Sequence, residues 1–360
     1  MRAHLQAVVA ATDARTLNDN TAFAEAFGGV IDASEGDRVH IAEAVWEYGL
    51  QARERGEVEE AAKLFAAAID GRGKGLCTEN KAARDRVVEM RVELLALHAG
   101  CGGAGGVEDK DYKIKVADDK HALGFDLDAR GDYDEALAQY EEAIVLYTEA
   151  RGDNSLDVVK TRENMANIFQ NKGQYDQALQ IYESVLETKT CLLGHECPDV
   201  ACTLVNISNV HYSKGKYEEA LAVYHKAEKV YVAVLGYTLD VAKTYAKVAD
   251  VYRKQGKYDQ ALEYYQKHLE ITVRVVGFDH LDVAKTREKL AILYDHQGQH
   301  DQALEIYYSV LEAKIRVLGL DHPDVARTHH NIANVYNSQG KYEESLDLYQ
   351  KPCTDTPTST

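Results

Sequence analysis

Past residue 110 the chain is built from apolar stripes at helical spacing broken by short polar stretches, and the whole pattern returns every 41 or 42 residues. The fixed point is a glycine. Gly131, Gly173, Gly215, Gly256, Gly298 and Gly340 are separated by 42, 42, 41, 42 and 42 residues. Two residues later stands tyrosine in five copies (Tyr133, Tyr175, Tyr217, Tyr258, Tyr342), with His300 in the other. Five residues after each glycine comes a small side chain (Ala136, Ala178, Ala220, Ala261, Ala303, Ser345), and seven before it another (Gly124, Ala166, Ser208, Ala249, Ala291, Ala333). Each copy therefore predicts two helices joined at the glycine, which supplies the left-handed backbone of the turn. The small residues let the two helices approach closely.

A second aromatic follows nine residues after each anchor: Tyr140, Tyr182, Tyr224, Tyr265, Tyr307 and Tyr349. These two columns account for much of an unusual balance, 23 tyrosines against 6 phenylalanines and 1 tryptophan. A tyrosine buries a large apolar ring and can keep its hydroxyl at a wet edge, so the rings read as packing between helices. The linkers recur as well. Leu193-Gly194-His195-Glu196-Cys197-Pro198-Asp199-Val200-Ala201 matches Leu318-Gly319-Leu320-Asp321-His322-Pro323-Asp324-Val325-Ala326. Val276 to Ala284 is a third version, and Leu235 to Ala242 is one residue shorter, which explains the single 41 spacing. Glycine closes each second helix, and Pro198 and Pro323 fall where a first helical residue belongs.

Paired helices with this glycine, aromatic and alanine pattern resemble tetratricopeptide repeats. The 42-residue period and the Leu-Gly-x-x-His-Pro-Asp-Val-Ala linkers are similar to the kinesin light chain type. The resemblance covers roughly residues 110–350. It implies an all-α fold, a right-handed superhelical solenoid of antiparallel helix hairpins. It also implies a scaffold or adaptor that holds an acidic peptide segment of another protein, with a kinesin heavy chain or a cargo adaptor as partner. Kinesin light chains attach to their motor through a long N-terminal coiled coil, and residues 1–110 show no sustained heptads.

The remaining chain divides by composition. Residues 1–37 read as an N-terminal helical or irregular segment. Residues 38–99 read as a diverged copy plus one extra helix, because Gly49, Gly56, Ala61, Phe65 and Ala68 keep the offsets of the repeats. A glycine run over residues 100–109 reads as a linker. Residues 110–350 hold six repeats, the last with its second helix cut short. Residues 351–360 are polar and read as a disordered tail.

Charge narrows the partners. The formal net charge is −18, which disfavours nucleic acid because such binding needs a dense basic footprint. No apolar run reaches the roughly 20 residues that span a bilayer, so no membrane insertion is expected. Six cysteines without CxxC or framework spacing read as free thiols of a cytoplasmic protein. Among 14 histidines none has catalytic or metal-ligand spacing, and no Walker loop, nucleophile elbow or HExxH occurs. A catalytic site, a metal and a cofactor are therefore not expected.

Stacked hairpins of this kind curve so that the first helices line a concave face, and the candidate site lies there. Asparagine recurs nine and six residues before the anchor: Asn164 and Asn167, Asn206 and Asn209, Asn331 and Asn334. Each pair shares a helical face, and an amide offers a donor and an acceptor to a peptide backbone. Lys247 and Asp250, then Lys289 and Ile292, interrupt the series. The alternative is that these asparagines bridge neighbouring helices. The first helices are also rich in cations (Lys160, Arg162, Lys243, Lys247, Lys285, Arg287, Lys289, Arg327), whereas the second helices carry Glu141-Glu142, Glu218-Glu219 and Glu343-Glu344. That segregation predicts a positive groove for an acidic extended segment. The competing reading is a solvated face of local ion pairs. A self-associating structural role is a third possibility.

Overall fold

A computed structural model describes residues 45–47, 49–50, 52–54, 61, 65–66, 68–69, 81–101 and 110–350. The expectations for residues 1–37, for most of the glycine run, for Gly56 and for residues 351–360 lie outside these residues. The chain forms two compact units, Met1–Lys172 and Gly173–Thr360.

In the first unit, α1 (Lys81–Cys101) is followed by α2 (Lys110–Arg130), α3 (Tyr133–Arg151) and α4 (Leu156–Asn171). Its core has two parts. Trp46 stacks on Phe65 with ring centroids 3.9 Å apart, over Ala61, Ala68, Val87, Met90 and Leu94. Farther along, Val88 of α1 meets Leu123 and Leu127 of α2, Tyr140 of α3 and Ile168 of α4. Gly124 is a necessity rather than a convenience. A Cβ built on it would lie 2.7 Å from a ring carbon of the fully buried Tyr140.

The second unit begins with α5 (Tyr175–Leu193) and continues through four hairpins. These are α6 (Pro198–Ser213) with α7 (Tyr217–Leu235), α8 (Leu239–Lys254) with α9 (Tyr258–Val276), α10 (Leu281–His296) with α11 (His300–Leu318), and α12 (Pro323–Ser338) with α13 (Tyr342–Gln350). Each second helix also packs on the next first helix. No strand occurs among the described residues. The chain is thus the all-α stack of helix pairs that the period predicts.

Local chemistry fixes the turns. Gly215 has φ +74°, its N–H bonds to the Tyr212 carbonyl, and the Lys216 N–H bonds to the His211 carbonyl at 2.9 Å. These are the paired bonds of a Schellman motif, which satisfies carbonyls left open at the helix end. The same geometry recurs at Gly256, Gly298 and Gly340. Pro198 and Pro323 do occupy the first turn of α6 and α12.

Two further columns recur at the repeat interval, and the second ties neighbouring repeats together. Thr161, Thr203, Thr244, Thr286 and Thr328 are buried; the first four hydroxyls each donate to the carbonyl four residues earlier, and Thr328 Oγ1 lies 3.0 Å from the Asp324 carbonyl while donating to Glu288. From Gly173 onward, the residue before the anchor glycine reaches an acid in the first turn of the preceding second helix. Lys172 meets Asp134, Lys214 meets Asp176, and the side-chain amides of Gln255, Gln297 and Gln339 donate to Glu218, Asp259 and Asp301. An acid at a helix N-terminus is favoured by the local dipole, so one carboxylate serves both purposes.

Candidate functional site

The first helices present three registers relative to the anchor glycine. At thirteen residues before it stand Lys243, Lys285 and Arg327, all exposed. At nine before it stand Asn206, Lys247, Lys289 and Asn331. At six before it stand Asn209, Asp250, Ile292 and Asn334. Spacings of four and three keep these registers on one side of each helix.

The cations are not equivalent. Lys243 lies 3.9 Å from Asp240 and Lys285 lies 3.5 Å from Asp282, each within its own first turn. Arg327 pairs with Asp324 at 2.8 Å and approaches Glu288 at 3.9 Å. Lys247 is exposed and makes no ion pair among the described residues. Lys289 bonds Asp250 of the preceding first helix at 3.1 Å, and its ammonium sits 5.2 Å from the centre of the Tyr265 ring. That contact ties α8 to α10. The exposed i,i+3 pairs are weak and salt-screened, so an incoming carboxylate competes with one local aspartate at Lys243 and Lys285, and with Asp324 and the more distant Glu288 at Arg327.

The asparagine column has a structural partner as well. The Tyr224 hydroxyl donates to Asn209 Oδ1 at 2.5 Å, and the Tyr349 hydroxyl donates to Asn334 Oδ1. Tyr265 does the same to Asp250. The residue six before the anchor and the tyrosine nine after it therefore form one unit, which explains why aspartate stands where asparagine was expected. With Oδ1 engaged, Asn209 and Asn334 keep their amide N–H groups for a second acceptor. Burial, then the Asp250 charge, pushes the Tyr265 phenol above its ordinary range. Asn206 and Asn331 are half-buried.

In the first unit, Asn164 and Asn167 are half-buried on α4. Thr161 Oγ1 donates to the Asp157 carbonyl at 2.7 Å, so its lone proton is spent. It must then accept from His121 Nδ1–H at 2.9 Å. His121 Nε2 is left as the acceptor for the Asn164 side-chain amide at 3.3 Å. Burial lowers the His121 pKa against the opposing pull of Asp118 and Asp157, which keeps this neutral tautomer in place.

One buried polar cluster had no forerunner in the sequence reading. Lys314 of α11 bonds Glu288 of α10 at 2.7 Å and Thr328 Oγ1 of α12 at 3.0 Å. Thr328 also lies 2.7 Å from Glu288. Lys189 of α5 stands at the register of Lys314, is buried, and bonds Thr203 Oγ1 at 2.9 Å. Cys191, Cys197 and Cys202 are in no disulfide among the described residues. No helix among the described residues is long and apolar enough to cross a membrane.

The family model described as Tetratricopeptide repeat matches residues 120–190, 199–272, 240–316 and 282–351. No curated protein matches the chain. Among solved structures, BtubC (BKLC) from P. vanneervenii is 20% identical, with 68% of this chain and 93% of that one covered and a TM-score of 0.54. Aspartyl phosphate phosphatase F from Bacillus subtilis is 15% identical over 90% of this chain and 72% of its own, with a TM-score of 0.51. A Podosopora anserina protein assigned as a kinesin light chain, with nearly identical TPR-like repeats, is 20% identical over 53% of this chain and 90% of its own, with a TM-score of 0.48. At these identities the likeness to the first two is one of fold.

Proposed function

Because the chain belongs to the tetratricopeptide repeat family, we propose that it is a non-catalytic scaffold that holds an extended, acidic segment of a partner protein against its first helices. One observation carries this reading: exposed Lys243, Lys285 and Arg327 recur at a single register, each opposed by one first-turn aspartate. An incoming carboxylate displaces a weak local pair and gains a charge-assisted hydrogen bond. Lys247 adds an exposed charge on the same side, and the free amide N–H groups of Asn209 and Asn334 suit backbone carbonyls. Asn206 and Asn331 share one asparagine register, which Asn164 of α4 keeps, and Asn167 keeps that of Asn209 and Asn334. The protein acts in the cytoplasm on this reading, as its free thiols fit a reducing compartment.

Titration of a fluorescein-labelled acidic peptide, with a basic peptide as control, tests the proposal. Affinity for the acidic peptide should fall steadily as salt rises and drop at least ~10-fold in the Lys243→Glu, Lys285→Glu double variant. Both residues are exposed, so the fold should survive. Binding that ignores ionic strength, or that survives the charge reversal, rules the reading out.

A further inference from the structure

Given the acidic segment proposed above, the step between the exposed cations sets the backbone of that segment. Consecutive first helices of the second unit touch directly. Asp250 of α8 bonds Lys289 of α10 at 3.1 Å, and Thr328 Oγ1 of α12 lies 2.7 Å from the Glu288 carboxylate of α10. So short a side chain as threonine closes such a contact only between tightly packed helices, whose axes lie about 8–10 Å apart. Lys243, Lys285 and Arg327 hold one register on these three helices, and all are exposed. They form a row of cations with a step of about 8–10 Å. A ligand that meets all three must present a carboxylate on one side at that interval.

A β-strand returns to the same face every two residues, about 6.8 Å, or every four, about 13.6 Å, and neither matches the step. An α-helix returns at seven residues, about 10.5 Å, and its carbonyls are already bonded within the helix. A polyproline II helix has three residues per turn and a rise of about 3.1 Å, so every third side chain shares a face at intervals of about 9.3 Å. Its backbone makes no internal hydrogen bonds, which leaves carbonyls for the amide N–H groups of Asn209 and Asn334. We infer that the partner segment binds as a polyproline II helix with an aspartate or glutamate at every third residue, one each for Lys243, Lys285 and Arg327. Proline fits the intervening positions, because this backbone needs none of its own N–H groups. Whichever way the segment runs, its middle acid faces Lys285.

The test uses the full chain and fluorescein-labelled peptides read by anisotropy. The first is Glu-Pro-Ser repeated three times. A second has the same residues with its glutamates in one block, a third replaces proline by glycine, and a fourth alternates glutamate with threonine to favour a strand. The first should bind tightest. The blocked peptide should bind about 10-fold more weakly, because it reaches only part of the row. The glycine peptide should lose several-fold through the cost of ordering its backbone. Replacing the middle glutamate by glutamine should weaken binding to the parent chain several-fold and add nothing in Lys285→Met, while in Lys243→Met its effect persists. Equal affinity for the spaced and blocked peptides, tightest binding of the alternating one, or a middle-acid effect untouched by Lys285→Met would overturn the inference and leave the acidic-segment reading standing. Failure of every acidic peptide to bind would overturn both.

Discussion

The buried contact between Lys314 and Glu288 offers the sharpest quantitative test of the packing. The Lys314 side chain is 1% exposed and that of Glu288 is 8% exposed, with 2.7 Å between their charged atoms. Two charges so placed have given up their hydration, and the contact repays it only while both are present. In Glu288→Leu the ammonium keeps just Thr328 Oγ1 at 3.0 Å and the Asp324 carbonyl at 3.4 Å. That substitution should cost about 3–5 kcal/mol, the range for an orphaned buried charge. Lys314→Met should cost less, because Glu288 retains the Thr328 hydroxyl and has Arg327 3.9 Å away. The double variant, apolar on both sides, should return to within about 1 kcal/mol of the parent. Urea unfolding followed by circular dichroism gives the cycle, and hydrogen exchange in α10, α11 and α12 locates the loss. A Glu288→Leu cost under about 1 kcal/mol, or a double variant worse than either single one, would refute the reasoning.

Further expectations concern the core and the titrating groups. Gly124→Ala forces a Cβ into the Tyr140 ring and should lower stability by about 1–3 kcal/mol, whereas Gly124→Ala paired with Tyr140→Leu should recover part of it in thermal melts. Burial lowers the pKa of His121, His211 and His268, so the unfolded chain binds more protons than the folded one just below pH 6.5. Stability should thus be full above that pH and decline as the pH falls through the unfolded value, and a denaturation midpoint unchanged between pH 8 and 5 would contradict this. Protonating His121 removes the acceptor that Asn164 uses, so the Asn164 side-chain amide resonances should shift in step with that decline. Lys214→Ala removes only an exposed tie to Asp176 and should change stability by less than about 1 kcal/mol in the same denaturant assay.

What the sequence made legible followed from periodicity. The anchor glycines, the small residues and the buried tyrosine column all lie at intervals that a single alignment of the chain with itself reveals. The threonine column keeps the same interval, but threonine carries no strong helix signal and does not stand out in it. The asparagine register is readable, and so is the interval of fifteen that Asn209–Tyr224 and Asn334–Tyr349 share, but spacing alone does not show that the two side chains meet. Lys314 and Lys189 were opaque for a different reason. A lone lysine in an amphipathic helix reads as surface, and only the stacked neighbour shows that a threonine and a carbonyl await it. The ties from Gln255, Gln297 and Gln339 likewise depend on which end of one helix meets the start of another, which a linear pattern does not encode.

The left-handed glycines at both ends of each second helix also set how the array bears load. Gly215 and Gly236 bracket α7 and Gly256 and Gly277 bracket α9, with loops of only a few residues between rigid helices. Such a chain has almost no slack, and each hairpin grips only its immediate neighbours. Drawn out by its ends in an optical trap, it should lengthen in a staircase of like-sized steps, one hairpin at a time, and wind back along the same stairs.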